Sequence, residues 1–340
     1  MQTEKIDILS GDRQAGIDRA GEILRRGGIV AIPTETVYGL AASAFDDNAI
    51  KKVFEAKGRP QNNPLIVHIS DLDMINEVAE DIPAILPALA KRFWPGPFTA
   101  VLKKKETVAS RVSAGLDTVA VRMPASAAAR DIIRAAGIPL AAPSANVSGA
   151  PSPTTAAHVL ADLDGKADVI LCGEDCSVGV ESTVVALFSK PPRLLRPGAV
   201  TAEELREFLP DLIIDKAVLS EPESGKPVAS LGMLYKHYAP RTEAFLVVGD
   251  SRDFIRFVNS KRDCAALCFN EEFPEITVKK LSYGEKNDKK ELARNLFAAL
   301  RRVDTLNAQC VYIHAPDKSG VGLAVYNRLL RAAAFKVIEL

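Results

Sequence analysis

The stretch AKGRPQNNPLIVHI, residues 56–69, places two cations on a loop between two regular elements. Lys57 and Arg59 flank a glycine, and two prolines prevent the polar segment after them from continuing a helix. The apolar run 65–69 then predicts a strand that contains His68. Binding groups are common on loops of this kind. A basic surface turn would have the same composition, so the stretch alone leaves both interpretations open.

The composition is that of a globular protein with room for two domains. The chain has 340 residues, of which 47% are hydrophobic and 25% are charged. Because 43 Lys and Arg balance 43 Asp and Glu, the chain has no global basic field. Any binding of anions or RNA must therefore depend on a local cluster of cations.

The N-terminal segment and the small number of cysteines predict a cytoplasmic protein. The five cysteines are an odd number at low density, which does not suggest a disulfide scaffold. The N-terminal segment mixes charges early and lacks the apolar stretch of a secretion signal. No apolar run reaches the roughly 20 residues that cross a bilayer. We expect reduced thiols and no membrane contact.

Polar residues follow a buried strand at residues 29–33, where the sequence runs into TETVYGL. Such positions often bind ligands in α/β folds, which makes Thr36 a candidate. An ordinary strand end with a high β-propensity would look the same.

Arg122 lies in another apolar strand, four positions after Thr118. Residues an even number apart project from the same face of a strand, so the two could line one surface. An arginine in an apolar strand is costly unless it is paired. A structural ion pair and an anionic ligand both remain open.

The segment PSANVSGAPSPT, residues 143–154, connects a buried strand to a helix. Its hydroxyl groups, its Asn amide and its free backbone N–H groups suit contacts to phosphate or a nucleoside. A low-complexity linker would have a similar composition but would be longer.

The sequence lacks the motifs of two common kinds of binding site, the P-loop and the cysteine-rich metal site. No stretch matches GxxxxGK[ST], so a P-loop is excluded. The cysteine pairs have three intervening residues instead of two, and only four histidines are present, so we expect no metal site in the protein itself. Cations dispersed over several strand ends would have to neutralise any polyphosphate.

Three parts of the chain are predicted: a catalytic domain at 1–214, a linker at 215–243 and a C-terminal domain at 244–340. The linker contains PVASLGMLYKHYAPR, residues 227–241, whose aromatic residues suggest a lid with Tyr235 or Lys236 reaching inward. Strands and helices alternate from residue 244 onward, which predicts a small, mainly parallel α/β domain.

Several motifs, in this order along the chain, resemble the YrdC-like family in its two-domain, threonylcarbamoyl-AMP synthase form. They are PTETVYGL (33–40), KGRP and NPLIVHI (57–69), WPGPFT (94–99), VAVRMP (119–124), APSANVSGAPSPT (142–154), ESTVV (181–185), LLRPG (194–198) and GMLYKHYAP (232–240). The resemblance implies a twisted α/β domain with an open cavity, joined to a smaller Rossmann-like parallel α/β domain.

The resemblance also implies a reaction, in which L-threonine, bicarbonate and ATP give L-threonylcarbamoyl-AMP, pyrophosphate and water. A downstream threonylcarbamoyl transferase complex would use the product to make t6A at position 37 of tRNAs that read ANN codons. Mg²⁺ would bridge the phosphates with few protein ligands.

The residue roles implied by the family follow its motifs. Lys57 and Arg59 would be catalytic. L-threonine would be bound by Thr36, His68, Arg122, Ala142 and Ser182. ATP would be bound by Arg59, Asn63, Thr118, Ser144, Asn146, Ser152, Arg196 and Tyr235.

Two alternative functions remain. One is a non-catalytic RNA-binding module in tRNA or ribosome maturation, whose cations would contact phosphates and in which any RNA contact would depend on salt. The other is carbamoyl transfer from carbamoyl phosphate. It is less consistent with the sequence because the larger proteins with that activity have acylphosphatase-like or zinc-finger segments, which this sequence lacks.

Overall fold

A computed structural model of the chain describes residues 2–220 and 238–340. Within these ranges the chain forms two α/β regions, each with its own sheet and its own apolar core. Most of the predicted lid segment 227–241, including Tyr235 and Lys236, lies outside the described residues. The predicted boundaries at residues 214 and 243 stay predictions.

The N-terminal region contains one large mixed sheet with the strand order β1-β9-β2-β3-β8-β4-β7-β6-β10-β11-β12, and β5 pairs with β6 at the side. Its interior strands are buried because helices cover them, as the apolar sequence of residues 30–32 illustrates. The strands are β1 (Glu4–Asp7), β2 (Val30–Ile32), β3 (Gly39–Ser43), β4 (Ile66–His68), β5 (Ala79–Glu80), β6 (Phe98–Lys104), β7 (Thr118–Arg122), β8 (Leu140–Ala141), β9 (Val169–Cys172), β10 (Thr183–Ala186), β11 (Arg193–Arg196) and β12 (Ile213–Ile214).

Local signals in the sequence set the ends of several helices. The Asp46 carboxylate accepts hydrogen bonds from two backbone N–H groups at the start of α2, and Gly58 ends that helix with φ 59°. Thr201 and Glu204 form the predicted capping box of α8. The helices of this region are α1 (Arg13–Arg25), α2 (Asp47–Lys57), α3 (Ile75–Val78), α4 (Leu86–Phe93), α5 (Ser110–Ser113), α6 (Ala127–Ala136), α7 (Ala156–Leu163) and α8 (Ala202–Arg206).

The C-terminal region has a parallel sheet with the order β15-β14-β16-β13-β17, which confirms the predicted small parallel α/β fold. Its elements are β13 (Glu243–Val248), α9 (Ser251–Asn259), β14 (Cys264–Cys268), β15 (Lys279–Ser282), α10 (Lys289–Val303), β16 (Cys310–His314), α11 (Gly322–Ala332) and β17 (Val337–Glu339). None of the helices in the described ranges has the length and apolar character needed to cross a membrane.

The two regions share an apolar interface. Val37 and Val180 of the N-terminal region belong to the same buried cluster as Tyr238 and Phe297 of the C-terminal region. Gly179, with φ +79°, lies so close to α10 that a Cβ there would overlap the backbone of Arg294. Backbone thus packs directly on backbone at this point of the interface.

We expect Gly179→Ala to lower the free energy of unfolding by roughly 2–5 kcal/mol, because a left-handed alanine costs about 1–2 kcal/mol and overpacking adds about 1–3 kcal/mol. Gly137→Ala is a matched control, since Gly137 has φ +66° with no atom within 4 Å of the added Cβ. Urea denaturation measures both variants. An equal loss of stability in the two would contradict the close approach at Gly179.

Candidate active site

A cavity lies where several strand ends of the N-terminal sheet face the C-terminal region. Its wall includes residues from the PTETVYGL, KGRP and SAN motifs, and Tyr238 contributes from the chain leading into β13. The predicted site residues that line it are Thr36, Lys57, Arg59, His68, Arg122, Ala142, Ser144, Asn146, Ser182 and Arg196.

Three predicted ATP-binding residues are not among the described residues that line this cavity. Asn63 is buried, and Thr118 lies at the opposite end of β7 from Arg122. Ser152 is fully buried, and its hydroxyl donates to Glu181 Oε1 at 2.6 Å. The fourth, Tyr235, lies outside the described residues.

Lys57 ties the end of α2 to the loop at residues 143–154. Its Nζ donates to the backbone oxygen of Ser144, to the backbone oxygen of Asn146 at 2.5 Å and to Asn146 Oδ1 at 3.3 Å. Burial and the neighbouring Arg59 guanidinium lower the pKa of Lys57 well below its usual value. Lys57 therefore shapes the loop as well as lining the cavity.

Arg59 and Arg196 place two guanidinium groups on the same cavity. Burial lowers the pKa of each to about 10, and their mutual repulsion adds to the shift of Arg59, so both stay charged at neutral pH. Arg196 donates to the backbone oxygen of Ser182 at 3.0 Å and to its Oγ at 3.1 Å. Arg59 Nε is buried and has no hydrogen-bond partner among the described residues. A half-buried Arg59 and a buried Arg196 that line the same cavity suit a polyanionic ligand.

Arg122 takes part in a buried ion pair and also lines the cavity. Its Nη2 lies 2.6 Å from Glu35 Oε1, and its Nη1 donates to Thr36 Oγ1 at 2.8 Å. Burial alone would raise the pKa of Glu35, but the Arg122 charge, together with hydrogen bonds from backbone N–H groups and from Arg122, lowers this pKa. The structural ion pair expected as one alternative is present, and Arg122 is also among the described residues that line the cavity.

His68 is neutral in the folded protein. Burial, reinforced by the Arg122 charge, lowers the pKa of His68 to about 3. Its Nδ1 lies 3.2 Å from the backbone oxygen of Ile66. A group with this pKa is a poor proton acceptor near neutral pH, so the environment favours binding over general-base catalysis.

We expect the stability of the protein to fall as the pH is lowered from about 6.5 towards 3, in part because of His68. In that interval the unfolded state binds the proton and the folded state does not, which removes up to about 1.4 kcal/mol per pH unit. His68→Gln should therefore have a shallower decline. Urea denaturation at pH 7, 6 and 5 measures the slopes, and parallel slopes for the two proteins would refute the neutral buried His68.

Comparison with known proteins gives a consistent result over both regions. Residues 22–198 match the family model Sua5_yciO_yrdC, described as "Telomere recombination". Residues 200–334 match the model described as "Threonylcarbamoyl-AMP synthase, C-terminal domain". A threonylcarbamoyl-AMP synthase of Pyrococcus abyssi is 43% identical over 327 residues, which cover 94% of each chain. The chain belongs to the threonylcarbamoyl-AMP synthase family.

A second relative and a solved structure extend the comparison. A threonylcarbamoyl-AMP synthase of Bacillus subtilis is 40% identical over 339 residues, which cover 98% of this chain and 96% of the relative. The crystal structure of P. abyssi Sua5 complexed with L-threonine superposes with a TM-score of 0.90 at 38% identity and covers 100% of both chains. The family and the fold class predicted from the motifs are confirmed.

Two residues that line the cavity, Glu181 and Tyr238, are not among the site residues predicted from the sequence. Glu181 directly precedes Ser182 in the ESTVV motif and is among the described residues that line the cavity. Tyr238 lies in the predicted linker, and its ring packs 5.2 Å from that of Phe297. The presence of a charged residue in a buried motif was a usable signal for Glu181. The described ranges contain no group of three His, Cys, Asp or Glu side chains placed to hold a metal ion.

Proposed function

We propose that this protein synthesises L-threonylcarbamoyl-AMP from L-threonine, bicarbonate and ATP, with release of pyrophosphate. The observation that supports this most directly is the cavity that Lys57, Arg59, Arg122 and Arg196 line together with hydroxyl and amide groups. Membership of the family and the L-threonine complex of the P. abyssi relative agree with this assignment.

The arrangement suggests how the substrates are divided over the cavity. Arg59 and Arg196 are placed to neutralise the phosphates of ATP, with Ser144 and Asn146 on the loop beside them. Arg122 and Thr36 form the other side, together with His68, Ala142 and Ser182, where we place L-threonine and its carboxylate. Asn63, Thr118, Ser152 and Tyr235 stay predicted ATP contacts.

The proposed chemistry has two steps. The threonine amine attacks bicarbonate and water is lost, which gives a carbamate. A carbamate oxygen then attacks the α-phosphorus of ATP while the bond to the β-phosphate oxygen breaks and pyrophosphate leaves. Such a reaction needs positioning and charge stabilisation, and it does not require a protein nucleophile.

Mg²⁺ is proposed to accompany ATP and to be held mainly by phosphate oxygens. Glu181, the carboxylate that lines the cavity, already accepts hydrogen bonds from Ser152 and Arg328. The donor set around the cavity therefore fits a metal ion that arrives with its nucleotide, as Mg²⁺ commonly does.

The biological role follows from the product. We propose that a downstream threonylcarbamoyl transferase complex consumes it to form t6A at position 37 of tRNAs that read ANN codons. A cytoplasmic location and a weak contact with RNA are predictions from the same reasoning. The alternative of an RNA-binding module is less favoured because the cavity cations Lys57, Arg122 and Arg196 are buried, where a nucleic acid backbone cannot reach them.

The test is pyrophosphate release from ATP with L-threonine and bicarbonate omitted in turn. We expect release to require both, and threonylcarbamoyl-AMP to accumulate in equal amount. ATP that stays intact in the complete mixture would overturn the proposal. In that case RNA affinity should be measured against salt concentration, since a pure RNA binder has a steep salt dependence.

A further inference from the structure

The C-terminal region contacts the loop at residues 143–154 at several points. Arg301 of α10 donates from Nη2 to the backbone oxygen of Pro151 at 2.6 Å and pairs with Asp162 at 2.7 Å. The backbone N–H of Ala239 donates to the oxygen of Gly149 at 3.0 Å. The loop that carries Ser144 and Asn146 is therefore held from outside its own region.

Arg328 of α11 makes a further contact, with Glu181, which lines the cavity. Its side chain is fully buried, its Nε lies 3.0 Å from Glu181 Oε2, and its Nη2 donates to the Glu181 backbone oxygen at 3.2 Å. The other carboxylate oxygen of Glu181 accepts the Ser152 hydroxyl at 2.6 Å. Arg328, Glu181 and Ser152 thus form a continuous hydrogen-bonded chain from the C-terminal region to the loop.

The charges explain why an arginine is needed at this place. A buried carboxylate without a cation is costly, and Glu181 lies close to Arg196 as well as to Arg328. If Arg328 were absent, Arg196 would be the remaining cation for Glu181, and it would be less available to an anionic ligand. With Arg328 present, the charge of Glu181 is balanced from the side that faces away from the cavity.

We infer that Arg328 is a positioning residue of the active site, which acts through Glu181 and Ser152 to fix the loop 143–154 and to leave Arg196 available for ATP. The C-terminal region therefore completes the nucleotide side of the site. The kinetic part of this inference rests on the proposed function, whereas the ordering of the loop does not.

The experiment compares Arg328→Met with a matched control, Arg331→Met. Arg331 lies in the same helix and donates from Nη2 to the backbone oxygen of Ala217 at 2.9 Å, and neither of these two residues is among the described residues that line the cavity. In Arg328→Met we expect amide hydrogen exchange of residues 143–154 to become at least tenfold faster than in the wild type. We expect KM for ATP to rise at least tenfold, with a smaller change in KM for L-threonine. Arg328→Lys, which keeps the charge but not the fork geometry, should recover part of both effects.

Amide hydrogen exchange and the kinetics with ATP distinguish a failure of this inference from a failure of the proposed function. The inference would be overturned if amide hydrogen exchange of residues 143–154 is unchanged in Arg328→Met. It would also be overturned if exchange increases equally over the whole chain. A wild-type protein without threonine-dependent pyrophosphate release would overturn the proposed function, and the exchange measurement would still decide the role of Arg328. If Arg328→Met does not fold, Ser152→Ala removes the loop end of the same chain of contacts and should give the same two effects. Their absence there would also overturn the inference.

Discussion

Arg59→Ala should reduce kcat/KM for ATP by roughly 10²-fold or more, the size of effect seen when a charge-stabilising donor is removed. Its buried Nε has no hydrogen-bond partner among the described residues, and Arg196 repels it. Removing it therefore breaks no internal contact of that atom and relieves a like-charge interaction. We expect the folding stability of the variant to equal or exceed that of the wild type.

The measurement combines pyrophosphate release with urea denaturation. Arg26→Ala is a suitable control because the Arg26 side chain is 70% exposed and pairs only with its helix neighbour Glu22 among the described residues. Arg59→Lys should have intermediate activity, since a lysine keeps the charge but loses the fork geometry. An Arg59→Ala variant with normal activity and a normal fold would remove Arg59 from the site.

Arg122→Met should have the largest effect on stability, a loss of about 3–5 kcal/mol, because it leaves the buried Glu35 carboxylate without its cation. The same change should abolish saturation by L-threonine, since the guanidinium is also the proposed partner of the substrate carboxylate. Thermal unfolding and threonine-dependent pyrophosphate release measure the two effects.

A double variant separates these two roles of Arg122. In Glu35→Gln with Arg122→Met the buried charge is removed together with its partner, and most of the stability should return. Threonine binding should not return. Recovery of both properties would mean that the ion pair is structural and that Arg122 does not bind the substrate.

The elements that the sequence predicts best are those with local signals. The caps at Asp46 and at Thr201 with Glu204 are readable because each cap lies within a few residues of its helix. In contrast, β3 was not predicted, since its sequence GLAAS lacks the alternation of a strand and its burial comes from neighbours on both sides.

In the candidate site, too, residue types that stand in a motif are predictable from the sequence, whereas contacts between distant parts of the chain are not. The cations are visible in the motifs, but strand periodicity gives the face of a residue and not its position along the strand. Thr118 and Arg122 share a strand, and of these two described residues Arg122 alone lines the cavity. The contact of Arg328 with Glu181 joins residues 147 positions apart, and no local pattern indicates such a pair.

The pairing of β1 with β9 has a consequence for synthesis on the ribosome. Glu4 pairs with Val169, which follows it by about 165 positions in the sequence. Strand β1 therefore cannot pair until β9 has been synthesised. At about 5–20 residues per second this delay is roughly 10–30 s. A lone strand could meanwhile pair with other nascent chains, but three of the four residues in EKID are charged, which disfavours such pairing. The composition of β1 would therefore protect the growing polypeptide against aggregation until translation of β9 is complete.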